Sequence, residues 1–366
     1  MKKKINLVIQ TAFLGDLLLS IPLLRQIKKM YPQDEIGLVC KKGLGEIFCA
    51  LGLVDHVFEI SKGNQKSYEQ VISEIDQLSL RNIYSPHQSL RTAFFVRRLL
   101  AENKIGFRRW WNFNFFDLRI PFVNQMPDAL RQLSLCQIED PVLEKNLQNY
   151  MVKGTAYQLS PDGQISEVPD WAKMGLREHL LDSRHLWSKT IEKFGFREGR
   201  KKALLFPGSV WFTKQWTEKG FVEVGQSLSQ DYDVVIMGGP GEEALCSRIS
   251  SLIPGSQNLC GRTTIMESLF LVLHSAFIIC NDSASGHLAA VAETPSISIF
   301  GPTILEFGFR PWQNKAWIVQ NLKLSCRPCG PHGHQKCPLG THECMTSVSS
   351  LTVYQAVQKI YSSSIK

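Results

Sequence analysis

KKKINLVIQTAFLGDLLLSIPLLRQIKKMYP (residues 2–32) decides how the rest of the chain is read. Three lysines ahead of an apolar run imitate a secretory leader. Gln10 and Asp16 interrupt that run, however, and no small-residue cleavage site follows. A charge in mid-span also counts against a membrane-crossing helix. The alternative is a buried strand over Ile5–Ile9, a loop, and an amphipathic helix from about Asp16 to Tyr31. A strand that hands over to a helix through a glycine-containing loop opens a βαβ unit. The whole chain then reads as alternating strands and helices.

That alternation continues. EIGLVC (35–40), VDHVFEI (54–60), NIYSP (82–86) and NKIGF (103–107) are short apolar runs. Between them lie helical stretches near 44–51, 66–79 and 88–101. Residues 108–200 are less regular, with a helical stretch near 175–195, and 147–180 read as an insertion. The alternation restarts at ALLFPGS (203–209), DVVIMGG (233–239), AFIICND (276–282) and SISIFGPT (296–303). Helices are expected at 217–230, 241–252, 264–275, 284–293 and 350–362. Short apolar strands with intervening helices mean parallel sheets, here α/β in two doubly wound domains, 1–180 and 181–366. The last helix could cross back to the first domain. Ligands of such sheets bind beyond the carboxyl ends of the strands, which places the expected crevice between the domains.

Composition narrows the partners. The 366 residues are 44% hydrophobic and 20% charged, so neither disorder nor a multi-span membrane protein fits. The net charge of +8 favours an anionic partner. Of ten cysteines, Cys40, Cys49, Cys136, Cys246, Cys260 and Cys280 are scattered, several in apolar runs, which suits a reducing compartment.

Six segments carry candidate chemistry. Gly15–Asp16 sits at the first strand-to-helix turn, where a carboxylate can accept a proton from a hydroxyl or simply cap the helix. PGSVWFTKQW (207–216) places Thr213 and Lys214 in a loop after a strand, where a lysine can neutralise diphosphate. NDSASGHLAA (281–290) runs from a strand into small residues and a helix start, so Ser283, Ala284 and His287 suit an anion at the helix N-terminus. MGGPGEEA (237–244) lacks the GxGxxG pattern; Glu242 or Glu243 could hold ribose hydroxyls or serve only as an acidic first turn. CRPCGPHGHQKCPLGTHECM (326–345) gathers Cys326, Cys329, Cys337 and Cys344 with three histidines. These are zinc-type ligands, and a compact reduced loop is the alternative. FRRWWNFNFF (107–116), near Arg97, Arg98 and Arg119, suits contact with an amphiphile or a set of core aromatics. His87, Ser89 and Arg91 follow another strand end.

In order along the chain, GDLLLSIPLLRQIKKMYP (15–32), PHQSLRTA (86–93), PGSVWFTKQW, NDSASGHLAAVAETPSISIFGPT (281–303) and CRPC…CPLGTHECM resemble glycosyltransferase family 9, the lipopolysaccharide heptosyltransferases, and most closely the heptosyltransferase II branch. The resemblance implies a GT-B fold of two facing Rossmann-like domains, the second holding the donor. It implies inverting transfer of heptose from ADP-heptose to the lipopolysaccharide inner core, without a catalytic metal. By position, Asp16 is then the general base and Lys214 the diphosphate clamp. Asp282 would contact the sugar, Ser283, Ala284 and His287 the phosphates and sugar, Thr213 the donor and Glu242 the ribose. His87, Ser89 and Arg91 would lie on the side of an anionic, lipid-linked glycan acceptor. The enzyme would be cytoplasmic, at the inner face of the inner membrane, with no nucleic-acid partner. VNQMPDALRQL (123–133) departs from the family's acceptor-side pattern. Two other readings compete: a nucleotide-sugar enzyme with a different donor or an epimerase activity, and a zinc-binding interaction protein on a degenerate GT-B body.

Overall fold

The computed structural model describes residues 3–165, 167–196 and 200–362. The chain divides into two compact units, Met1–Ala156 and Tyr157–Lys366, so the division falls earlier than the 180/181 boundary expected from the strand–helix alternation.

The first unit is a six-stranded parallel sheet of β1 (Ile5–Ile9), β2 (Glu35–Lys41), β3 (His56–Ile60), β4 (Leu80–Ser85), β5 (Asn103–Phe107) and β6 (Leu118–Ile120), in the order β3-β2-β1-β4-β5-β6. The run INLVI is buried at every position, Asn6 included, as a central parallel strand covered on both faces requires. Ile5, Leu7 and Ile9 pack with Val71, Ile72 and Ile75 of one helix and Phe95 and Val96 of another. Side chains close several helix starts. Asn64 accepts from the Ser67 N–H, Ser89 from Thr92 and Asp140 from Leu143.

The expected single helix 16–31 is two helices, Leu14–Leu18 and Ile21–Met30. Pro22 lies in the first turn of the second helix, where its missing N–H costs nothing; inside a continuous helix it would leave a gap. The stretch after 108 is also more regular than expected. It supplies β6 and helices Asp128–Leu133 and Pro141–Lys153 to the first unit.

The second unit repeats the topology. β7 (Lys202–Phe206), β8 (Asp233–Ile236), β9 (Gln257–Asn258), β10 (Phe277–Asn281), β11 (Ser296–Phe300) and β12 (Ala316–Gln320) form a parallel sheet in the order β12-β11-β10-β7-β8-β9. β7, β10 and β11 are buried throughout. Residues of the expected insertion cover the β12 edge. The Ile165 N–H donates to the Ala316 carbonyl, the Ile318 N–H to that of Gly163, and the Trp312 indole to that of Ala172. Covering an edge strand removes a site of unwanted pairing. Residues 166 and 197–199, within the stretch read as insertion and linker, lie outside the described residues. The last helix, Ser350–Ser362, packs on helix Glu218–Leu228 and on β11 and β12 of its own unit. Among the described residues no helix is long and apolar enough to cross a membrane.

Candidate active site

In each unit the strand order reverses between two adjacent central strands, β1 and β4 in the first and β7 and β10 in the second. Loops beyond such a reversal diverge and leave room for a ligand. The sequence-singled residues cluster at these two places.

In the first unit, Phe13 is the N-cap of helix Leu14–Leu18 and Asp16 is its third residue, so Asp16 is not the cap. Its Oδ2 accepts the Phe13 N–H at 3.1 Å. Burial, and next the negative charge of Asp128, push the Asp16 carboxyl up to about 6, against the pull of backbone N–H groups and of Lys62. A carboxylate with such a pKa is a stronger base than an exposed aspartate and is still ionised at neutral pH. Asp128 is buried, and burial raises its pKa too. Gln132 ties the pair together: Nε2 donates to Asp128 Oδ2 at 2.6 Å and to the Asp16 backbone carbonyl at 3.0 Å. Its Oε1 accepts from Gln10 Nε2 at 3.2 Å. Asp128 and Gln132 both belong to VNQMPDALRQL, the segment that departs from the family's pattern.

His87 Nδ1 lies 2.8 Å from Thr11 Oγ1 and 2.7 Å from Thr92 Oγ1. Burial pushes its imidazole down to about 4, so the ring is neutral at pH 7. Ser89 caps helix Leu90–Arg98, while Arg91 is exposed on that helix. His87 and Ser89 thus order the loop after β4, which meets the loop after β1 at Thr11, and Arg91 lines a groove described below.

In the second unit, Lys214 Nζ and Asp282 Oδ2 are 2.6 Å apart, with both side chains buried. Thr303 donates to the same Oδ2 at 2.7 Å. Asp282 directly follows β10, and Ser283 opens helix Ala284–Ala292. Ser283 Oγ pairs with Ser285 Oγ at 2.7 Å and caps no backbone N–H, so the helix start keeps donors for an anion. His287 lies in the first turn, only 5% exposed, and its Nδ1 has no hydrogen-bond partner. Burial holds it down at about 4, with Asp282 and Lys214 close enough to shift it in opposite directions. A buried, unpartnered imidazole nitrogen beside a helix start is a polar atom awaiting a partner.

Glu242 packs instead against two glycines. Its Oε2 accepts the Gly239 N–H at 2.8 Å, and any side chain at Gly208 would collide with its carboxylate. Glu242 therefore stands where the loops after β7 and β8 meet. Burial raises its pKa.

Two features of the second unit were not legible in the sequence. Asn281, fully buried, accepts the Trp216 N–H at 2.9 Å and donates to the Pro207 carbonyl at 2.8 Å, which holds the lysine loop to β10. Asn281→Ala is expected to cost about 2–4 kcal/mol through these lost bonds and stranded polar groups. Urea unfolding followed by tryptophan fluorescence checks it. Thr213, by contrast, is held by the Cys-rich segment. Its Oγ1 donates to the His334 carbonyl at 2.9 Å, and its own carbonyl lies 2.9 Å from His342 Nε2.

The four clustered cysteines do not form the zinc site that their residue types suggest. Among the described residues no three His, Cys, Asp or Glu side chains are arranged to hold a metal ion. Cys344 is buried and Cys326 exposed. The His342 ring is engaged by the Thr213 carbonyl, and the His334 main chain bonds the Thr213 hydroxyl. The Cys337 sulfur accepts the His342 N–H at 3.4 Å, and backbone N–H groups around it lower its pKa. The segment acts as a buttress for the Thr213–Lys214 turn.

Two parallel sheets of Rossmann strand order make this an α/β protein of the GT-B type. Residues 82–339 match the model of glycosyltransferase family 9 (heptosyltransferase), and the chain belongs to that family. It is 33% identical over 174 residues to lipooligosaccharide heptosyltransferase 2 of Campylobacter jejuni, a match covering 46% of this chain and 53% of that protein. The matched part thus spans about half the length of the Campylobacter relatives. Lipopolysaccharide heptosyltransferase 3 of Escherichia coli is 25% identical over 314 residues, covering 82% of this chain and 84% of its own. Among solved structures, E. coli ADP-heptose lipopolysaccharide heptosyltransferase II superposes over 100% of both chains with a TM-score of 0.75 at 18% identity.

Proposed function

We propose that this protein transfers heptose from ADP-L-glycero-D-manno-heptose to a hydroxyl of the lipopolysaccharide inner core, with inversion at the transferred carbon. The observation that carries the mechanism is the Asp16 carboxyl, held at about 6 by burial and by Asp128. In this reading Asp16 takes the proton of the acceptor hydroxyl as its oxygen attacks the anomeric carbon. The bond from that carbon to the β-phosphate oxygen breaks, and ADP leaves with the added charge. A single displacement from the face opposite the leaving group inverts the configuration.

The second unit's residues fit the donor. Lys214 and the free N–H groups at the start of helix Ala284–Ala292 oppose charge that builds on the departing diphosphate. The His287 Nδ1, lacking a partner, would gain one from a phosphate or sugar hydroxyl. Asp282 would meet the sugar, and Glu242, beside Gly208 and Gly239, the ribose. ADP is favoured as the nucleotide because the E. coli protein of this fold is an ADP-heptose lipopolysaccharide heptosyltransferase. The acceptor in this reading is an anionic, lipid-linked glycan, which puts the reaction at the cytoplasmic face of the inner membrane.

The test is transfer itself. Purified protein is incubated with lipid-linked inner-core acceptor and ADP-heptose, with UDP- and GDP-sugars as competing donors. Acceptor-dependent release of ADP from ADP-heptose is expected. Turnover of donor at the same rate without acceptor, or preference for a UDP- or GDP-sugar, would overturn the assignment.

A further inference from the structure

Helix Leu90–Arg98 is two-sided. Thr92, Ala93, Phe95 and Val96 are buried under it, while Leu90 and Phe94 are each 56% exposed and Arg91, Arg97 and Arg98 face solvent. Apolar and cationic residues therefore share the outer face, where a water-facing helix ordinarily carries polar residues of both signs. Beside it a groove of about 300 Å³ opens against helix Gln65–Ile75. Tyr68, Ile72 and Phe94 line the groove and Arg91 and Arg98 flank them. Neither guanidinium has a carboxylate partner among the described residues.

The same surface continues into the loop after β5. Phe94 meets Phe115 edge-on at 5.1 Å, Trp111 meets Phe115 at 6.2 Å, and Arg97 stands over the Phe115 ring at 5.7 Å. Beyond them Trp110 is 90% exposed and Phe113 62%. Residues 90–116 hold six Lys and Arg against one acidic residue, Glu102, whose charge is taken by Lys4. The face is thus aromatic, unpartnered and of one sign.

We propose that helix Leu90–Arg98 and the loop 108–116 form a docking face for an anionic phospholipid bilayer. Charge complementarity selects that occupant. Arginine forks match lipid phosphates, and tryptophan and phenylalanine settle at the headgroup–acyl boundary, with little need for a shaped protein partner. The use of this face rests on the lipid-linked acceptor proposed above, but the binding does not, and its test involves no turnover.

The test is co-sedimentation of the full chain with vesicles of phosphatidylethanolamine and phosphatidylglycerol, compared with vesicles of phosphatidylcholine alone. Wild-type protein is expected to bind the anionic vesicles, weakly or not at all the neutral ones, and to release them as salt is raised. The double variant Arg97→Glu, Arg98→Glu should lose about 10-fold or more in affinity, and Trp110→Ser should lose affinity at unchanged net charge. Neither variant touches Asp16 or Lys214, and both should retain the wild-type thermal shift with ADP. Equal binding to the two vesicle types, wild-type binding by either variant, or failure of the wild type to bind anionic vesicles would overturn the proposal.

Discussion

Asp16→Asn is expected to abolish nearly all transfer while leaving the protein as stable as, or more stable than, the wild type above pH 7. A positioned general base contributes about 10²–10⁴-fold, so kcat should fall by at least that range's lower end. The stability result follows from the direction of the pKa shift. The folded protein holds the Asp16 carboxyl at about 6, above its ordinary value of 3.8. The ionised form is therefore disfavoured by folding, and that cost is present above pH 6 and vanishes as pH falls through 6 toward 3.8. A neutral amide of the same shape removes a penalty of about 3 kcal/mol at pH 8, less what the weaker bond from the Phe13 N–H gives back. The measurements are kcat and thermal melting at pH 5 and pH 8. A variant that melted far below wild type at pH 8 would show that Asp16 holds the turn together. The companion change Asp128→Asn should move the acidic limb of the wild-type rate profile to lower pH, because it deletes a charge that raises Asp16.

Lys214→Ala should strike rate and stability together. Removing a group that opposes developing charge on a leaving phosphate costs about 10²–10³ in kcat. It also leaves the Asp282 carboxyl buried with, among the described residues, only the Thr303 hydroxyl bonded to it. Breaking one side of a buried ion pair costs about 3–5 kcal/mol. The two effects separate in the double variant Lys214→Ala, Asp282→Asn. It no longer strands a charge and should melt close to wild type, while transfer stays lost. Lys214→Arg keeps the charge but replaces a point donor with a planar fork, and partial activity is expected. Steady-state kinetics at saturating donor, with melting curves on the same samples, decide the matter.

Much of the fold was readable because both sheets are parallel and covered on both faces, which makes their central strands short, largely apolar and buried at every position: INLVI, FIICN and SISIF. The strands that escaped notice are those this rule does not reach. β6 has three residues and β9 two, both at sheet edges. β12, AWIVQ, is apolar but has no strand-to-helix turn after it to mark its end. Site residues next to strand ends in sequence, such as Asp282, could be picked out because the chain itself carries them to the switch point. Asp128, Gln132 and Thr303 reach the same places from elsewhere in their units, and no spacing announces such a meeting. The zinc reading failed for a related reason. Composition counts ligand types but not their geometry: all four cysteines line one small pocket, yet among the described residues no three ligand side chains are arranged to hold a metal ion.

The duplicated strand order bears on how specificity changes among relatives. Most of the candidate site residues lie on loops that follow two strands in each half, β1 and β4 in one and β7 and β10 in the other, with Glu242 on the loop after β8. Those loops are anchored at one end only by a buried strand that contributes nothing to recognition. A lineage can therefore rewrite what these loops contact through a few short connections. The load-carrying sheets pass through such change untouched, which is why chains of low identity can share one architecture end to end.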